Sequence, residues 1–84
     1  MTPPEPSAAE EFGCRVFKAR RRLGVSQEIL AIFAGLHRQE VGLIERGKRE
    51  PKLTTILKLT QALGVEPNEL LLGINPHKLR RPAE

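Results

Sequence analysis

Apolar positions recur along this chain with the period of an α-helix, and glycine interrupts the pattern wherever a helix has to stop. Phe12, Val16, Ala19 and Leu23 fall on one face of a first helix, together with Arg20. Ser7 to Glu10 has capping-box spacing, so that helix starts after Ser7, and Gly24 ends it. A second helix is expected from Gln27 to Ala34, opened by Ser26 as N-cap, with Leu30, Ala31 and Ala34 inward and Ile29, Ile32 and Phe33 outward. Gly35 turns the chain into a third helix, Arg38 to Glu45, closed by Gly47. A fourth, Leu53 to Leu63, buries Leu53, Ile56, Leu59 and Leu63 and stops at Gly64. Pro67 opens a fifth, carrying Leu70 and Leu71, and Gly73 and Pro76 break the pattern.

At 100° per residue the third helix has two unlike sides. Val41 and Ile44 share one, while Gln39, Gly42, Leu43 and Arg46 share the other. An amide and a guanidinium flanking a glycine on an outward face suit a DNA major groove, because Gln and Arg make paired hydrogen bonds to base edges and glycine admits a close approach. A plainly solvated helix face fits the same pattern. Glycine within a helix costs about 1 kcal/mol against alanine, so Gly42 calls for a reason.

The remaining composition narrows the partners. The chain has 84 residues and a net charge of +4, which fits one small domain with a polyanionic partner or a merely basic protein. Three Phe and no Trp or Tyr leave the core to aliphatic residues. Cys14 stands alone, so no internal disulfide forms and a reducing cytoplasm is the expected compartment. No apolar run approaches the ~20 residues of a membrane span. His37, His77 and Cys14 lack zinc-ligand spacing; neither metal nor cofactor is expected, and no phosphate loop or paired nucleophile and base points to an enzyme. Arg20 on an apolar face needs an acidic partner, for which Glu45 is the candidate, unless it snorkels to water.

The stretch SQEILAIFAGLHRQEVGLIERGKREP, from Ser26 to Pro51, resembles the helix-turn-helix of the Cro and phage-repressor type (XRE-like) family, and the likeness runs from about Phe12 to Leu72. It implies an all-α, five-helix, lambda-repressor-like domain over residues 7–74, between a proline-rich tail at 1–6 and a basic tail at 75–84. It further implies a regulator that binds double-stranded DNA as a homodimer, with half-sites about one helical turn, roughly 34 Å, apart.

On this reading Arg38, Gln39, Gly42 and Leu43 read bases, while His37, Arg46, Lys48, Arg49 and Lys52 hold phosphates. The resemblance adds that Gln27 binds a phosphate and buttresses the third helix, and that Arg20 and Glu45 pair. Glu40 either accepts from a cytosine amino group or holds Arg38. Lys18, Arg21 and Arg22 are either solvated or in contact with phosphates. The resemblance puts the dimer contact on the last two helices around Glu66, Pro67 and Leu70. Ile29, Ile32 and Phe33 are the rival surface for a dimer or a protein partner, or else scattered apolar residues. An antitoxin or other protein-binding module would use the same fold.

Overall fold

The computed structural model describes residues 5–75, all of whose regular elements are helical. These are α1 (Ala8–Leu23), α2 (Gln27–Ala34), α3 (Arg38–Glu45), α4 (Leu53–Leu63) and α5 (Pro67–Leu71). The basic tail carrying Lys78, Arg80 and Arg81, and the first four residues, lie outside the described residues.

Local chemistry sets the helix ends. The Ser7 hydroxyl accepts from Glu10 N–H at 3.1 Å while Ser7 N–H donates to the Glu10 carboxylate at 2.8 Å, closing the capping box. That backbone donor, helped by the Ser7 hydroxyl and the charge of Lys48, holds the Glu10 carboxyl below its ordinary range. The Ser26 hydroxyl caps α2 by accepting from Ile29 N–H. Between α2 and α3, Gly35 adopts φ +69, which an L side chain would resist. His37 occupies the N-cap position of α3 without a side-chain capping bond.

Helix α3 lies between α1 and α2, and α4 and α5 close the opposite side. The core is built from Phe12, Val16, Ala19, Leu30, Ala31, Ala34, Val41, Ile44, Leu59, Leu63 and Leu70. Three expected core members differ. Leu53 is 72% exposed because it is the first residue of α4 and points roughly a quarter turn away from the Ile56, Leu59 and Leu63 stripe. Thr55 and Thr60 are buried there instead, the Thr60 hydroxyl donating to the Leu57 carbonyl at 2.8 Å. Leu23, at the last turn of α1, is half-exposed beside Leu63 and Val65, and Leu71 is half-exposed as well. Leu70, expected at a dimer contact, is instead sealed in the core, out of reach of a partner.

One contact outside the pattern of large residues brings α1 against α3. A Cβ at Gly13 would strike the carbonyl oxygens of Ile44 and Glu45. Gly13 therefore permits backbone-to-backbone approach at the C-terminal end of α3. A second close approach follows at Gly47, φ +71, which rests on Glu10 of α1.

Candidate nucleic-acid interface

Helix α3 is pinned from behind. Val41 and Ile44 are 0% exposed, so the side carrying Arg38, Gln39 and Arg46 is turned to solvent with those three exposed and Leu43 half-buried. Its far end is held by a polar cluster. Arg20 Nε donates to Glu45 Oε2 at 2.6 Å and Nη2 to Oε1 at 3.1 Å, while Nη1 reaches the Val25 carbonyl at 2.9 Å. The Arg20 guanidinium also stands 5.3 Å from the centre of the Phe17 ring. Gln27 completes the set, its Nε2 donating to Glu45 Oε1 at 2.9 Å. The cluster links α1, α2 and α3 through one carboxylate whose side chain is 3% exposed. Among the described residues no buried side-chain polar atom lacks a partner.

Two clefts flank the exposed side of α3. The first is lined by Gln27, Arg38, Gln39, Gly42, Leu43 and Arg46, which brings the expected base-reading residues together with Gln27 and Arg46. Gly42 lines this cleft but is itself buried, with Arg46 Nη1 and Gln27 Oε1 standing 3.1 Å and 3.6 Å from where a Cβ would lie. The second cleft, towards α4, brings His37, Glu40, Arg49 and Lys52 together with Thr55 and Lys58. Glu40 thus sits with the cations of the loop and apart from the cleft holding Arg38. Lys48 lines neither cleft; the chain reversal at Gly47, in which Lys48 N–H donates to the Leu43 carbonyl at 2.9 Å, sets it beside Glu10. Lys58 was not foreseen, although its three-residue spacing from Thr55 puts both on the side of α4 facing this cleft.

Several large apolar side chains are exposed among the described residues, Phe17 and Leu23 of α1 included. Ile29, Ile32 and Phe33 form a ridge on α2, Ile32 and Phe33 being the more open. Leu53 and Leu57 on α4 and Leu71 and Leu72 at the end of α5 are exposed as well, and Leu71 lines a groove with Ile56 and Ile74. Glu66 and Pro67 are exposed at the start of α5. No helix among the described residues is long and apolar enough to cross a membrane.

A helix held by its inner face, with an amide and guanidinium groups turned outward beside a capped helix N-terminus, defines a helix-turn-helix domain. The chain belongs to the helix-turn-helix family HTH_3, whose model matches residues 16–70. It is 47% identical over 62 residues to an SPbeta prophage-derived HTH-type transcriptional regulator of Bacillus subtilis, covering 74% of this chain and 57% of that protein. It is 44% identical over 61 residues to the control protein C.BamHI of Bacillus amyloliquefaciens, covering 71% of this chain and 75% of the relative. Among solved structures, the restriction-modification controller protein C.AhdI of Aeromonas hydrophila superposes with TM-score 0.72 at 48% identity, covering 74% of this chain and 94% of that one. The P22 c2 repressor bound to a synthetic operator gives 0.69 at 31% identity, with the same coverages of 74% and 94%. The chain is therefore of the DNA-binding, transcription-regulating class and not an enzyme.

Proposed function

We propose that this protein is a cytoplasmic, sequence-specific regulator of the repressor or controller type that binds a palindromic operator as a homodimer. The observation that carries the reading is the polarity of α3, with Val41 and Ile44 fully buried and Arg38 and Gln39 exposed. Arg38, Gln39 and Leu43 read base edges. Gln27, Arg46, Arg49 and Lys52 meet backbone phosphates, and His37 and Lys58 extend that contact along the second cleft. Selection of bound fragments from a random duplex pool, followed by gel shift, tests this: a recovered palindrome supports it, and fragments without a common sequence count against it. With such an operator, Gln39→Ala is expected to relax discrimination at one position by about 1–3 kcal/mol. Lys52→Ala is expected to weaken all duplexes alike and lower the salt slope by about 1. Equal loss of discrimination in both variants would defeat this division.

One helix spans only a few base pairs, so useful affinity calls for two copies. The α4 and α5 surface is the proposed contact, since Leu53, Leu57, Leu71 and Leu72 leave more apolar area open there than the α2 ridge does. Leu57→Glu is expected to give a folded monomer in sedimentation equilibrium; a dimer that survives Leu57→Glu but not Ile32→Glu would move the interface to α2. The openness of Ile32 and Phe33 favours a second reading, in which that ridge binds a partner protein, as in an antitoxin, and DNA binding serves autoregulation.

A further inference from the structure

We infer that Gly42 is a positioning residue for Arg46: the space it leaves beside Gln27 lets the guanidinium fold away from the middle of the α3 face and meet a DNA phosphate in place of a base edge. This rests on the DNA-binding reading given above.

At 100° per residue, Gln39 and Arg46 project from the middle of the exposed side, and Gly42 lies about 40° from Arg46 and about 60° from Gln39, nearer the edge facing α2. The guanidinium follows that offset. A Cβ at Gly42 would stand 3.1 Å from Arg46 Nη1, 3.9 Å from its Cζ and 3.6 Å from Gln27 Oε1. Gly42 is buried on an outward-facing side because these two side chains close over it. Gln27 cannot swing clear, since its Nε2 donates to Glu45, which Arg20 holds in turn. Its Oε1 is thereby kept at the mouth of the slot. The Arg46 side chain, by contrast, has no hydrogen-bond or ion-pair partner among the described residues, and its guanidinium donors remain for a ligand. A methyl group at position 42 would be in ordinary contact with Gln27 Oε1 and tight only against the far end of the flexible Arg46 side chain, so the guanidinium, and not the backbone, would have to shift outward by a few tenths of an ångström.

The test is a double-mutant cycle in the full chain, read on a selected operator and on a generic duplex of unrelated sequence at low salt. Gly42→Ala is expected to raise Tm by roughly 4–8 °C, because alanine is the better helix former. It should nonetheless bind both duplexes about fivefold more weakly. Arg46→Ala should bind both about tenfold more weakly, with a salt slope lower by about 1. The double variant should bind no more weakly than Arg46→Ala alone. The inference is overturned if Gly42→Ala binds like the wild type, if its loss persists in the Arg46→Ala background, or if Arg46→Ala erodes the preference for the operator over the generic duplex. Failure of the wild type to bind either duplex would overturn the DNA-binding reading and this inference together; the other three results leave that reading standing.

Discussion

Gly13→Ala is expected to destabilise the domain by roughly 3 kcal/mol, seen as a fall in Tm of more than about 10 °C. Alanine is favoured over glycine within a helix by about 1 kcal/mol, so the intrinsic preference points the other way. Sterics decide the sign. The added methyl would fall on the carbonyl oxygens of Ile44 and Glu45, backbone atoms that no rotamer change can move. To admit it, α1 must lift off the end of α3, which opens the packing around Phe12, Val16 and Ile44. Against a total stability of about 5–15 kcal/mol this is a large fraction. Thermal and urea unfolding measure it, and an unchanged or raised Tm would show that the two helices do not meet at Gly13.

Glu45→Ala is expected to cost about 3–5 kcal/mol, because it leaves the Arg20 guanidinium, on a side chain only 10% exposed, without the carboxylate it faces. The Val25 carbonyl and the Phe17 ring remain, and neither carries a compensating charge. Gln27 loses its acceptor in the same step. Joint replacement, Arg20→Met with Glu45→Leu, removes both charges and should recover most of the stability. Gln27 would still lack its anchor, however, so DNA affinity should stay low at temperatures where the double variant is folded. A single variant as stable as the wild type in urea would show that the pair is solvated and not structural.

Much of this architecture was legible because it is written in local rules. Ser7, Ser26 and Pro67 open helices, Gly24, Gly35 and Gly64 follow their ends, and the spacing of Val41 and Ile44 faces α3 inward. The pairing of Arg20 with Glu45 was also legible, since a cation on an apolar stripe demands a counter-charge. What periodicity could not reveal was which side of α4 the other helices would cover, hence the exposure of Leu53, or that Leu70 would be sealed in. The two helical glycines carry the clearest lesson. Both raise the same question of cost, yet helix phase says nothing about what a neighbouring element brings to them. Gly42 has the Arg46 and Gln27 side chains beside it, while Gly13, on a helix whose phase alone gives no sign of it, is where two backbones meet. The candidate site divides in the same manner: residue types on α3 were readable, whereas the grouping of His37 and Lys52 with Lys58, and the separation of Lys48, depended on how the loop folds back.

The side chains of Arg38 and Gln39 form no hydrogen bond or ion pair within the described part of the molecule, whereas that of Glu45, on the same short helix, is tied to two other helices. On the proposed reading, the two side chains that meet base edges are thus held by none of the hydrogen bonds that fix the shape. If α3 reads bases as proposed, descendants of this chain would reach new operators by exchanging a few letters of one helix, leaving the buried ion pair untouched.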